Sequence, residues 1–418
     1  MDNNNSSTDN QSAEHQSTDK QTTELPLMGV RVLELGSLIA GPYAGSILAQ
    51  FGAEVIKVEP PGSGDPLRKW RKMYKDTSLW WYSQSRNKKS ITLNLKSEEA
   101  QKIIQELVQS ADIVIENFRP GTLEKWNIGW EQLSAINPKL IMLRVSGYGQ
   151  DGPYSSRPGF AAIAESIGGL RHLTGYPDRA PVRVGVSIGD TLASLYGVIG
   201  AMMAMHHLKN NNGVGQFIDV ALYESVFGVM ESLIPEYGMF GFIRERTGAS
   251  MPGIAPSGSY TTKDDRYIVI AANSDSIFKR FMKAIGRSDL ADAPDLAQND
   301  GRAKRSDELD IAIQTWTSTL SLKAALEVLE KAAVPSSGIN NAEDIFNDPH
   351  FHAREMIVEH PLSETDTISL PGIVPKLSLT PGKTKWLGPK LGEHTEEVLS
   401  SIGIDSTNVE LLRRNGVI

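Results

Sequence analysis

Residues 30–59 read VRVLELGSLIAGPYAGSILAQFGAEVIKVE. Val30 to Leu35 is a short, mostly apolar run suited to a buried strand, and Glu54 to Val58 is a second one. Between them a helical pattern runs from Ala40 to Phe51, opened by Gly41-Pro42. Proline belongs in a first helical turn, because an N–H there has no partner within the helix. The stretch is therefore a β-α-β unit. The same alternation continues with strand-like Ser90 to Leu95, helical Glu98 to Ser110, strand-like Ile113 to Ile115, helical Trp130 to Asn137 and strand-like Leu140 to Val145. Repeated β-α-β units predict an α/β fold, a Rossmann-like, mostly parallel sheet with helices on both faces.

A strand, a glycine-containing turn, a helix and a second strand ending in Glu59 match a dinucleotide site in outline. The turn itself reads Gly36-Ser37-Leu38-Ile39-Ala40-Gly41-Pro42. It has no G-x-G-x-x-G, so the glycines that let a backbone cradle a pyrophosphate are missing.

Farther along, helical patterns cover Gly189 to His207 and Ala221 to Phe242. The breaker-rich segment Met251-Pro252-Gly253-Ile254-Ala255-Pro256-Ser257-Gly258 reads as a loop, and residues 251–259 form a candidate lid. A strand at Tyr267 to Ala272, helices at Ile277 to Ile285 and Leu322 to Ala333, a strand at Ile368 to Leu370 and a helix at Thr395 to Ile402 follow. The expected organisation is a large α/β domain from residues 25–225 and 335–418, with linker helices and a smaller α+β domain at 226–334. Residues 1–24 are rich in Asn, Ser, Thr, Gln and acids and lack the apolar side chains that would offset the entropy of ordering them, so a disordered tail is expected.

The 418 residues carry a formal charge of -8, which disfavours a nucleic-acid partner. The absence of cysteine excludes disulfides, thiolate metal ligation and thiol catalysis, and it fits a cytoplasmic location. No H-E-x-x-H occurs among the eight histidines, so no metal site is assigned. The start has no basic end followed by an apolar stretch, and no apolar run approaching the ~20 residues of a membrane span is expected.

Several segments together resemble the class III CoA-transferase family, which includes formyl-CoA, carnitine and bile-acid CoA-transferases. They are Leu35 to Pro42 (LGSLIAGP), Gly52 to Gly64 (GAEVIKVEPPGSG), Asn87 to Ile91 (NKKSI), Glu116 to Gly121 (ENFRPG) and Val145 to Pro153 (VSGYGQDGP). Gly189-Asp190, Asp348-Pro349 with Ala353-Arg354, and Leu391 to Thr395 (LGEHT) complete the set in family order. The resemblance implies an interlocked homodimer and a large domain that binds CoA.

It also implies that Asp190 is the nucleophile, since it stands where the family carries its catalytic aspartate. The chemistry is self-consistent. A thioester is reactive enough for a carboxylate to attack it, giving a mixed anhydride and a CoA thiolate, and no general base is needed because every attacking group is an anion. Read from its neighbours alone, Asp190 equally fits the N-cap of a helix starting at Thr191. By the same resemblance CoA, a substrate rather than a resident cofactor, is contacted by Ala40, Leu93, Asn117, Phe118 and Arg119. Lys96 and Lys125 would reach its phosphates and Tyr148 would stand near the thioester. Pro60 replaces a basic position of formyl-CoA transferase, so the phosphate grip must differ, and Ser37 replaces a histidine and Ile39 a glutamine, which argues against a formyl or oxalyl substrate. The implied donor is succinyl-CoA or a related dicarboxylyl-CoA and the acceptor a small carboxylic acid, with Arg144, Arg171 and Arg183 available to meet a second carboxylate.

Two other readings stay open. α-Methylacyl-CoA racemases share the fold, but their Gly-His-Asp segment is Gly159-Phe160-Ala161 here, so one of the two bases a racemase needs is missing. A protein that binds acyl-CoA without turning it over would retain the fold and show no acyl transfer.

Overall fold

A computed structural model describes residues 24–211, 213–251 and 253–418. The tail expected at residues 1–24 therefore lies, but for its last residue, outside the described residues. The central sheet has six strands: β1 (Arg31–Glu34), β2 (Glu54–Glu59), β3 (Lys88–Thr92), β4 (Ile113–Glu116), β5 (Ile141–Ser146) and β6 (Gln216–Ala221). They lie in the order β3-β2-β1-β4-β5-β6, all parallel, as the β-α-β reading predicts. The chain builds outward from β1 to β3, then returns to place β4 on the other side of β1. Ligands of doubly wound sheets bind at the carboxyl ends of the strands around such a reversal.

Side chains of a strand alternate between faces, and the two apolar cores follow that period. Leu33, Ile56, Ile91, Val114 and Met142 face one core, which is closed by helix α1 (Glu98–Val108) and the C-terminal residues Val417 and Ile418. Val32, Val55, Ile113, Ile141 and Leu143 face the other, against helix α2 (Ala40–Gln50) and the 24-residue helix α3 (Ile188–Asn211). Gly197 sets how closely α3 approaches, for a Cβ there would stand 2.8 Å from the Leu143 side chain. A third core, built on Tyr260, Ile268, Ile270, Phe278, Phe281, Leu309, Ile313 and Leu329, forms around an antiparallel sheet of Ser257–Thr261, Tyr267–Ala271 and Ser336–Gly338.

Three expectations need correction. The single helix expected from Ala221 to Phe242 is two, Leu222–Phe227 and Leu233–Phe240, and Ala221 ends β6. The strand was hidden because it is an edge strand whose first four residues are exposed or half-exposed, so QFID shows no apolar run. The loop expected at 251–259 is only in part a loop, since Ser257 onward pairs as a strand and Ala255 is fixed by Asn299 and Arg302. Finally, α3 is long and apolar enough to cross a membrane. Its alanines and methionines, with scattered leucines and isoleucines, raise the mean hydropathy without a run of large aliphatic residues. It is a core helix on one side, where Ala193, Ser194, Ala201 and Ala204 are buried, and exposes Leu195, Tyr196, Ile199 and Met203 on the other.

Candidate active site

Helix α3 starts at Ile188, three residues before the Thr191 start that an N-cap at Asp190 would require, so Asp190 lies inside its first turn rather than at the N-cap. An acid there is favoured by the free N–H groups and positive end of the helix dipole. The Ser194 hydroxyl, one turn on, sits 2.7 Å from the Asp190 carbonyl oxygen and 2.6 Å from that of Ala40, the first residue of α2. The first turn of α3 is thereby pinned to the start of the helix that follows β1. Burial pushes the Asp190 carboxyl up to about 6, the Arg183 charge pulls it down and Glu165 pushes it up.

Glu165 was not anticipated. It lies on the short helix Ala161–Ile167 with only 1% of its surface exposed. Its carboxylate stands 3.5 Å from Arg171 Nη2 and 3.8 Å from Arg183 Nε, an ion-paired cluster beside Asp190 with gaps longer than ordinary hydrogen bonds. The one available signal was a lone acid in the small, apolar run Ala161-Ala162-Ile163-Ala164 that precedes it. Arg144, by contrast, is committed elsewhere. It bonds Glu116 at 2.8 Å and Glu124 at 2.8 Å, so it is not free for a substrate carboxylate.

At the carboxyl ends of β1 to β4 lies a cleft of about 460 Å³. Leu35, Gly36 and Ser37 from the β1 loop, Pro60 and Ser63 to Pro66 from the β2 loop, Leu93 and Lys96 after β3, and Phe118 after β4 line it. Leu93 is fully buried and Lys96 is exposed at the rim.

The β1 loop is held from three sides. Asn117 brackets Ser37, accepting its N–H at 2.8 Å and donating to its carbonyl at 2.8 Å. A Cβ on Gly36 would come within 2.5 Å of the Asn117 Oδ1, so only glycine permits that clamp. Leu38 has a left-handed backbone (φ 67), and its N–H is taken by Asp65 while Gln84 donates to its carbonyl at 2.6 Å. Beneath the loop, Lys57 bonds Glu34, Asp65 and the Gly36 carbonyl, and Lys88 bonds Glu34 and the Pro42 carbonyl, all fully buried. Burial works against the Lys57 charge, but Asp65, Glu34 and Glu59 outweigh it and hold the group above its ordinary range. Charged residues inside a parallel strand, as in VIKVE, were the sequence signal of this network.

Other expected contacts stand outside the cleft lining. Arg119 and Lys125 are exposed, in the turn after β4 and in the short helix Thr122–Lys125. Glu116 shapes that turn by accepting the Phe118 N–H at 2.8 Å. Tyr148 lies beyond the end of β5, packed on Tyr154 and Tyr223. Phe160, at the position of the racemase histidine, is 71% exposed and offers no proton acceptor.

Comparisons with known proteins find relatives along nearly the whole chain. A model of CoA-transferase family III matches residues 27–395. The chain is 47% identical to the succinyl-CoA–D-citramalate CoA-transferase of Chloroflexus aurantiacus, over 94% of this chain and 98% of that one. It is 44% identical to the succinyl-CoA–L-malate CoA-transferase beta subunit of the same organism, over 95% and 99%. Among solved structures, a CaiB/BaiF family protein from Brucella suis superposes with a TM-score of 0.81 at 33% identity, covering 91% of this chain and all of that one.

Proposed function

Since the chain belongs to CoA-transferase family III and is a CoA-transferase, we propose that it moves CoA from succinyl-CoA to a small dicarboxylic acceptor through covalent intermediates on Asp190. The relatives named above take succinyl-CoA as donor and a C4 or branched C5 hydroxy acid as acceptor, which supports this substrate class. The observation that carries the reading is the state of Asp190. With its pKa lifted to about 6 it is still roughly 90% ionised at pH 7, yet partly stripped of the water that would blunt a nucleophile.

The Asp190 carboxylate attacks the thioester carbonyl, and the C–S bond breaks to release CoA thiolate and leave a succinyl-aspartyl anhydride. Thiolate then attacks the aspartyl carbonyl, expelling succinate and leaving an aspartyl-CoA thioester. The acceptor carboxylate attacks that thioester, regenerating thiolate and a second anhydride. Thiolate attacks the acceptor's carbonyl, and Asp190 leaves as the free carboxylate. Each step exchanges one anion for another, so no proton moves. Leu93 and Phe118 in the cleft lining, with Ala40 and Asn117 beside the β1 loop, are proposed to receive CoA. Lys96, Arg119 and Lys125 stand at exposed positions suited to its phosphates, and Tyr148 is proposed to lie near the thioester.

The test is trapping. The protein is incubated with succinyl-CoA, quenched with hydroxylamine or borohydride, and the peptide Val184 to Tyr196 is weighed by mass spectrometry. A hydroxamate or alcohol at Asp190, absent in Asp190→Ala, is expected. An unmodified Asp190 together with α-deuterium uptake into a 2-methylacyl-CoA in heavy water would instead mean racemase chemistry.

A further inference from the structure

The cluster beside Asp190 leaves two kinds of hydrogen-bonding valence open. Arg171 Nε and Nη2 are both shut off from solvent and make no hydrogen bond among the described residues, although Nη2 faces Glu165 Oε2 across a 3.5 Å ion pair. Those two N–H groups lie along one edge of a guanidinium, the geometry that grips a carboxylate with two parallel bonds. Glu165 Oε1 is also buried and accepts no hydrogen bond, and the 3.8 Å to Arg183 Nε is too wide for one. Buried polar atoms without partners cost stability, so their persistence needs a cause, and a missing ligand is one.

The two vacancies ask for different groups. A carboxylate satisfies Arg171 but is repelled by Glu165. An ionised Glu165 oxygen can only accept, so it calls for an O–H or N–H donor. A plain dicarboxylate fills the first vacancy and leaves the second empty; a dicarboxylate bearing a hydroxyl beside one carboxylate fills both.

We propose that Arg171 and Glu165 form the acyl subsite of this enzyme and select 2-hydroxydicarboxylates, Arg171 gripping the carboxylate remote from the reacting one and Glu165 accepting the hydroxyl. The inference rests on the reading of Asp190 as the carrier of CoA, and it adds which residues choose the acid. Arg183 is the bridge between the subsite and the nucleophile, because it faces both Glu165 and Asp190. A site that hydrogen-bonds a substrate hydroxyl disfavours the analogue lacking it, since the site's own polar group is then left bare.

The experiment compares acceptors in the full-length protein with succinyl-CoA as donor: the two enantiomers of malate against isotopically labelled succinate, whose exchange into succinyl-CoA needs no new acyl group to fit. One malate enantiomer is expected to exceed succinate in kcat/KM by about 10–100-fold. Glu165→Leu is expected to remove that preference, bringing the ratio of malate to succinate kcat/KM to about one, whatever the substitution does through Asp190 to the rate the two acids share. Arg171→Leu should depress both acids by roughly 100-fold, mainly through KM. A merely structural Glu165 would move both acids together and leave their ratio untouched. Equal use of malate and succinate by the parent, or a preference that survives Glu165→Leu, overturns the subsite. Loss of labelled succinate exchange in the parent, with no adduct on Asp190, would instead fell the covalent reading on which the subsite depends.

Discussion

At the scale of single residues the decisive quantity is the proton on Asp190. Burial, opposed by Arg183 and reinforced by Glu165, lifts its pKa from 3.8 to about 6. Only the carboxylate attacks a thioester, so kcat/KM is expected to fall about tenfold per pH unit below pH 6 and to level off above pH 7. The same shift has a signed effect on stability. A carboxyl with its folded-state pKa above its unfolded one holds its proton more tightly when folded, so its contribution is most favourable below about pH 4 and is lost as pH rises through about 6. Asp190→Asn cannot ionise. It should therefore be more stable than the parent at pH 8, by on the order of 1 kcal/mol after discounting for partial exposure, and match it near pH 4. Thermal melts of the two proteins across that range measure the difference, and a constant offset at all pH values would refute the assignment. An inactive variant that melts higher is the usual mark of a site that spends stability on function.

At the scale of elements, the loop after β1 shows what the sequence could and could not convey. The strand, turn and helix from Val30 to Phe51 were legible because an apolar run and Gly41-Pro42 each dictate a local conformation. The clamp on the turn was not, because its parts are 80 residues apart (Ser37 with Asn117) or 27 apart (Leu38 with Asp65) and no local pattern links them. Sequence resemblance had offered Asn117 as a CoA contact. That contact is one of backbone, and the side chain puts both its carbonyl and an N–H on Ser37, which makes it a positioning residue for the cleft wall as well. Glu165 stayed hidden for a related reason, since its partners lie on other pieces of chain, Arg171 on the short helix Leu170–Leu173 and Arg183 in the stretch before α3, and neither stands at helical spacing from it. Asn117→Ala leaves the Ser37 groups to find water and frees a loop that carries the left-handed Leu38. A cost of about 1–2 kcal/mol in stability and an increase of about tenfold in KM for succinyl-CoA are expected, with trapping at Asp190 preserved at saturating donor. Denaturant melts and steady-state kinetics check the two halves; an unchanged KM would mean that the clamp does not shape the cleft.

At the scale of the whole molecule, one chain leaves a large apolar surface uncovered. Leu195, Tyr196, Ile199 and Met203 line the outer side of α3, and Ile234, Tyr237, Met239, Phe240, Phe242 and Ile243 follow in the segment after β6. Monomers rarely expose so many large apolar side chains on two neighbouring stretches of chain, and interfaces between permanently paired subunits are built from them. Resemblance to interlocked dimers pointed the same way from the sequence, where composition alone was silent. Leu195 and Tyr196 lie on the helix that carries Asp190, only five and six residues beyond it, so covering this surface also braces the first turn of α3. The expected species in sedimentation is therefore a homodimer, twice the 45.7 kDa of one chain. Phe240 is 80% exposed in the single chain, so a charge there costs the isolated fold little. In a dimer the same charge would be buried without a partner, at a cost of several kcal/mol. Phe240→Glu should thus sediment as monomer, keep the circular dichroism of the parent and lose transferase activity together with the dimer. A Phe240→Glu protein that remains dimeric and active would place the interface elsewhere and free α3 from any dependence on a second chain.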